Sequence, residues 1–249
     1  MSQEQILLAC FLLLFGSTVN SLVGFGAGLV AIPLLVWIDV PLPSAIVIVN
    51  LSASIQCLWM CIRYRKHIPW RPAMSMHVIR VLMVPVGVVL LVGLVAIGPD
   101  RVKQVIGCLL LIVLFMIWIL DVQPRRNLHQ GWTLLAGTIS GILNGAVGMG
   151  GPAAVLWVMA HDWSSRRARS CLWTLILTSF PVQLLMLWWQ FGDPILRAMV
   201  LGLAMTPVCI VGTLLGLRLG ALLPIRRLRR VAYLIIAALA ISSIVGPWV

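Results

Sequence analysis

The feature that most constrains this chain is how its apolar residues are grouped. They form ten blocks separated by short polar loops: about Ile6–Leu22, Val23–Ile38, Ala45–Ile62, Met74–Ile97, Val102–Leu120, Trp132–Ala146, Val147–Ala160, Cys171–Phe191, Ile195–Leu219 and Val231–Val249. Six of the blocks are near or above the length an α-helix needs to cross a hydrocarbon layer of roughly 30 Å. Composition agrees: 61% of the 249 residues are hydrophobic and 10% are charged, against about 45–50% and about 25% in soluble domains. The expectation is an all-α polytopic membrane protein. No soluble domain fits, because the longest polar stretch is the Asp121–Gln130 loop.

The net charge of +12 does not indicate nucleic acid. The basic residues sit in short loops between apolar blocks, where they set topology and meet anionic lipid. The N-terminus, MSQEQILLAC, has no basic n-region and is expected to remain in the mature protein. The six cysteines, Cys10, Cys57, Cys61, Cys108, Cys171 and Cys209, all lie in apolar blocks and read as packing residues. No zinc spacing or disulfide framework is visible, and no metal or cofactor is expected. The eleven tryptophans, mostly near block ends, read as interfacial anchors.

Four blocks form two adjacent pairs, each split by glycines: LVGFGAGLVAIPLL (Leu22–Leu35) and NGAVGMGGP (Asn144–Pro152). An arm of about 16 residues rises roughly 24 Å, short of a full crossing. Loop charge suggests what the pairs do. The loops holding Arg63, Arg65, Lys66 and Arg71, then Arg125 and Arg126, then Arg166, Arg167 and Arg169, then Arg226, Arg227, Arg229 and Arg230 are strongly basic. These are expected on the cytoplasmic side. The loops at IDVPLPS, GPDRVK and FGDPILR are poor in basic residues and are expected outside. On this threading the second pair starts and ends at cytoplasmic loops, and the first pair enters and leaves from outside. Both pairs are expected to be hairpins.

The halves repeat at an offset of about 124 residues. Asn20 falls on Asn144, Val23 on Val147, Gly24 on Gly148, Gly26 on Gly150, Asn50 on Thr174 and Ser54 on Thr178. A slightly different offset sets Pro85 on Pro207. The expected architecture is therefore two inverted repeats, 1–122 and 123–249, forming one integral membrane domain. Each repeat is a glycine-tipped helical hairpin plus three transmembrane helices, giving eight to ten membrane segments with both termini outside. Inverted repeats recur in transporters, with the substrate at the repeat interface.

The hairpin tips are the candidate site. Helix N-termini present free N–H groups and partial positive charge, and so bind anions. The tips Gly24, Phe25, Gly26, Ala27, Gly28 and Gly148, Met149, Gly150, Gly151 are expected to hold one oxyanion without a buried lysine or arginine. Asn20, Asn144, Asn50, Thr174 and Thr178 are expected to orient it. Ser21, Ser52, Ser54, Gln56, Ser179 and Gln183 lie nearby, and such side chains serve equally well as interhelical packing polars. His77 and Arg80 lie on one face of the fourth block. Arg80 either snorkels to the interface or, with His77, forms a gate or proton-linked group. Gly212, Gly216 and Gly220 form a packing stripe that could serve a dimer interface. The GFGAG tip is not a dinucleotide loop, since no strand precedes it.

GFGAGLVAIPLL (Gly24–Leu35) and GTISGILNGAVGMGGPAAVLW (Gly137–Trp157) resemble the glycine-rich tips of the sulfite exporter TauE/SafE family, and family-like order covers nearly the whole chain. One departure is that Trp157 takes the place of Pro33 in the second half, while Pro152 follows the glycines directly. The resemblance implies transport of sulfite or an organosulfonate across a bacterial inner membrane. It does not fix the direction. The expected function is a secondary transporter working by alternating access on a small anion, with a proton or ion gradient as a candidate driving force. The rivals are an anion channel of the same architecture and a membrane enzyme or maturation factor. The enzyme reading lacks a catalytic set, because the four histidines are scattered.

Overall fold

The computed structural model describes residues 3–23, 27–119, 129–222, 234 and 236–244. Among these, nine α-helices follow one another: α1 (Gln3–Val23), α2 (Ala27–Trp37), α3 (Leu42–Arg63), α4 (Trp70–Ala96), α5 (Pro99–Ile119), α6 (Gln130–Val147), α7 (Gly151–Met159), α8 (Ser165–Phe191) and α9 (Asp193–Leu222). A 3-10 turn at Arg65–His67 joins α3 to α4, and residues 236–244 are also helical. Five helices are long and apolar enough to cross a membrane: Glu4–Ser21 within α1, then α3, α4, α8, and Asp193–Leu219 within α9.

The glycine-split pairs are hairpins with unequal arms, not the similar arms that block lengths suggested. α1 has 21 residues and α2 has 11, about 31 Å against about 16 Å. α6 has 18 and α7 has 9, about 27 Å against about 13 Å. In the second hairpin residues 148–150 at the break are not helical, which shortens the return arm. In both hairpins the arms pack antiparallel. Gly16 of α1 lies so near α2 that a β-carbon on it would sit 2.9 Å from Ala31 Cβ. In the other hairpin, Trp157 of α7 is fully buried and its indole donates to Thr133 Oγ1 of α6 at 2.9 Å.

Contacts between helices fix their directions. α9 runs parallel to α1, with Gly212 against the Leu14 carbonyl and Gly216 against the Thr18 carbonyl. It also runs parallel to α3: Ser52 donates to the Gly202 carbonyl at 3.0 Å, and Thr213 donates to Gln56 Oε1 at 2.8 Å. α4 runs parallel to α6, where Gly137, Gly141 and Gly145 meet Ile79, Arg80 and Val84 in turn. α4 is also parallel to α8, since His77 reaches Thr174 and Thr178 and Arg80 reaches Ser179. α3 and α8 run antiparallel: Asn50 meets Gln183, and the ring of Tyr64, just past α3, lies tilted 5.5 Å from that of Trp173. The main pairings, α4 with α6 and α9 with α1, exchange when the two halves are exchanged.

Each hairpin therefore opens at one end of the bundle. The first opens at the end carrying Asp39, whose carboxylate accepts from Lys103 at 3.0 Å and so ties the IDVPLPS and GPDRVK loops together. The second opens at the opposite end, where the basic 63–71 loop lies beside the start of α8. The basic groups at Arg125–Arg126 and Arg226–Arg230 lie outside the described residues.

The Gly212/Gly216 stripe packs within the chain, against α1. Both glycines are pressed against α1 carbonyls, where any side chain would collide with backbone.

Candidate functional site

The second hairpin tip is built by its glycines. α6 closes on Gly148 in a left-handed conformation, φ 70°. The Gly148 N–H donates to the Asn144 carbonyl at 3.0 Å, and the Met149 N–H to the Leu143 carbonyl at 3.2 Å. This satisfies the end of the helix in the manner of a glycine C-cap. Those two amides are thus already engaged. α7 restarts at Gly151, with Gly150 as its N-cap and no side-chain cap. Gly150 has no room for a β-carbon against the Ser140 carbonyl and Asn144, whereas Gly151 borders open space.

The tips of the two hairpins touch. A β-carbon on Gly28, in the first turn of α2, would sit 2.7 Å from the Gly148 carbonyl oxygen. Gly24, Phe25 and Gly26 lie outside the described residues, and Ala27 opens α2.

Arg80 occupies the region beneath the second tip, close to the Gly150 carbonyl. Its side chain does not snorkel; it is 2% exposed. Nε donates to Ser179 Oγ at 3.3 Å, Nη1 to Ser140 Oγ and to the Gly150 carbonyl at 3.3 Å, and Nη2 to Asn144 Oδ1 at 3.2 Å. A guanidinium has five N–H donors; these bonds use four, leaving one on Nη2. All four acceptors are neutral. The chain has six acidic residues, Glu4, Asp39, Asp100, Asp121, Asp162 and Asp193. Among the described residues the one ion pair is Lys103–Asp39, at a helix end. A buried charge without a counter-charge is costly; among the described residues Arg80 is held by neutral acceptors alone.

A ladder of amides extends from this centre. Gln183 Oε1 accepts from Asn144 Nδ2 at 3.2 Å and from Asn50 Nδ2 at 3.1 Å, and Gln183 Nε2 donates to the Asn144 carbonyl. It joins α3, α6 and α8 and crosses between the halves of the chain. One turn from Asn50 on α3, Ser54 Oγ is buried and has no hydrogen-bond partner among the described residues. On the other side of Arg80, His77 contacts Thr178 Oγ1 at 3.0 Å and Thr174 Oγ1 at 3.3 Å.

The expected residues thus divide. Asn144, Gly150, Asn50 and Arg80 belong to one hydrogen-bonded network; His77, Thr174 and Thr178 form a second group one turn away along α4; and Gly28 and Gly148 pack at the adjoining tips. Among the described residues no hydrogen bond links Asn20 to either group. Ser21, Ser52 and Gln56 are packing polars that tie α1 and α3 to α9. Sequence reasoning passed over Ser140 and left Ser179 and Gln183 among the general polars. The available signal was spacing: Ser140/Asn144 and Ser179/Gln183 are each four apart, which puts each pair on one helical face.

The sequence model of the family described as sulfite exporter TauE/SafE matches residues 8–243. The chain belongs to this family. No curated protein and no solved structure matches it. TauE/SafE membership, with the apolar helices, makes it a multi-pass membrane protein of a transporter family for sulfur-containing anions. In this TauE/SafE chain the match spans both hairpins, Arg80 and the amide ladder.

Proposed function

We propose that this protein is a secondary transporter that carries a small sulfur oxyanion, sulfite or an organosulfonate, by alternating access. The observation that carries the reading is Arg80, a buried cation with a spare donor and no carboxylate partner among the described residues. The anion binds against the Arg80 guanidinium beneath the second tip. Asn144, held by Gln183, fixes the geometry, and Ser54 supplies a further hydroxyl. The open space at Gly151 and the uncapped start of α7 favour the same place. Asn50 and the Gly28–Gly148 contact couple the site to the first hairpin.

The antiparallel course of α3 and α8 and the exchangeable helix pairings support two inverted repeats moving against each other around this centre. Grouping of the basic 63–71 loop and the basic start of α8 at one end supports a cytoplasmic assignment for that end, with both termini outside, in a bacterial inner membrane. There the arginines would also meet anionic lipid headgroups.

The test is anion binding to purified protein, read as thermal stabilisation by sulfite, methanesulfonate, sulfate, thiosulfate and carboxylates, since stabilisation follows occupancy. One sulfur-anion class is expected to stabilise the wild type but not Arg80→Gln. Equal stabilisation of both proteins would sink the site. Saturable counterflow in proteoliposomes is expected of a transporter; channel-like flux without counterflow would replace alternating access with a pore.

A further inference from the structure

His77 lies three residues before Arg80, on the same face of α4, and bridges to α8. Its two ring nitrogens each face a threonine hydroxyl, Thr178 Oγ1 at 3.0 Å from Nδ1 and Thr174 Oγ1 at 3.3 Å from Nε2. Both hydroxyls also have carbonyls in reach one turn back on α8. Thr174 Oγ1 is 2.8 Å from the Cys171 carbonyl oxygen, and Thr178 Oγ1 is 2.8 Å from that of Thr174.

A hydroxyl has one proton to donate. When both threonines donate to carbonyls, both oxygens turn lone pairs toward the ring, and only an imidazolium with two N–H donors satisfies them. When the ring is neutral, one hydroxyl must rotate and donate to the bare nitrogen. The site thus holds either charge state, and a single hydroxyl rotation separates them. Histidine is the side chain suited to such a change near neutral pH.

The surrounding charges decide when the proton enters. Among the described residues, the titratable or charged groups on the elements packed here include Arg80 on α4, Cys171 and Arg167 on α8, and His161 and Asp162 past α7, whose Trp157 packs with Met76 and Cys171. α6 brings only neutral Ser140 and Asn144 to this region. The described charges of α5, Asp100, Arg101 and Lys103, lie at the opposite end of α4. With the anion site empty, an imidazolium would place a second buried positive charge one turn from Arg80. With an anion against Arg80, that charge is balanced. Trp70, half exposed in the first turn of α4, packs its ring 5.8 Å from His77 and connects it to the basic-loop end.

We propose that His77 is the proton site of an anion–proton co-transporter, built on the Arg80 anion site proposed above. One proton from water converts the neutral imidazole to imidazolium as the anion binds, and it returns to water on the other side when the anion leaves. By linkage each ligand then favours the other equally.

The experiment measures proton uptake with an indicator dye in weakly buffered solution as methanesulfonate, whose charge is constant across working pH, is added to purified protein. The wild type is expected to take up about one proton per anion bound, with affinity falling about tenfold per pH unit on the alkaline side. His77→Gln is expected to bind the anion with flat pH dependence and no uptake. Thr178→Val, which keeps the ring but removes one partner, is expected to show reduced uptake and serves where His77→Gln does not fold. Anion binding without uptake in the wild type, or uptake unchanged in both variants, overturns the proton site. Absence of anion binding in the wild type instead overturns the Arg80 site on which it rests.

Discussion

The two hairpin regions share a plan and differ in chemistry. Setting Pro85 on Pro207 places Arg80 opposite Gly202, and the 124-residue offset places Ser140 opposite Gly16. On the second side, Arg80 and Ser140 form a hydrogen-bonded cluster beneath the tip. On the first side both positions are glycines used for close packing. A β-carbon on Gly202 would meet Ile48 Cα at 3.1 Å, and Gly16 is pressed against Ala31. Positions set opposite each other in the sequence need not carry the same chemistry: one holds a buried cation, and the other is closed by backbone contact.

This comparison can be broken at several points. The largest effect is expected where the seams are tightest. Gly145→Leu in α6 drives a side chain into the Val84 carbonyl and Gly87 of α4, and Gly216→Leu does the same at α1. Both should lose folded protein in detergent, measured by size-exclusion profile and yield; tolerance at one seam alone would show that the two seams are not equivalent.

Next comes Arg80→Gln, expected to weaken anion binding by roughly 30-fold or more, since truncating one side of a buried charge pair costs about 2–5 kcal/mol. Its melting temperature without ligand should change far less, because the native cation has no counter-charge to lose. Calorimetric titration beside an unliganded melt separates the two effects. The converse change, Gly202→Arg, should destabilise the α3–α9 contact without creating a second site.

Asn144→Leu is expected to cost about 1.5–3 kcal/mol of binding through its bond to a charged group, whereas Asn20→Leu should leave affinity within about twofold. Equal losses would restore the symmetric site that the sequence suggests. Smallest of all, Gly93→Ala meets nothing within 4 Å, and breaking the exposed Lys103–Asp39 pair with Asp39→Asn should shift stability by about 1 kcal/mol or less. A thermal melt checks both.

Much of the fold was legible in the chain. The blocks around Leu42–Arg63, Trp70–Ala96 and Ser165–Phe191 announce long apolar helices, and the glycines at 148–151 announce a break that few other residues permit. Loop charge correctly grouped Asp39 with Lys103 at one end. The site was less legible. Arg80 lies about 15 Å into α4, a depth at which a long side chain either reaches out or turns in. Ser140, Ser179 and Gln183 look no different in sequence from Ser52 or Gln56, which only pack helices together.

The sequence by itself determined what lipid and backbone chemistry demand locally: where helices run, where they break, and which loops carry positive charge. Those follow from residue-by-residue preferences and need no partner. Tertiary structure alone decided that the Gly212/Gly216 stripe is consumed by α1, that Asn144 bonds to Arg80 while no hydrogen bond among the described residues links Asn20 to it, and that Arg80 turns inward. Each depends on what a neighbouring helix brings to the same point. For Arg80 those neighbours are Ser140 and Asn144 of α6 and Ser179 of α8, at least 60 residues away along the chain.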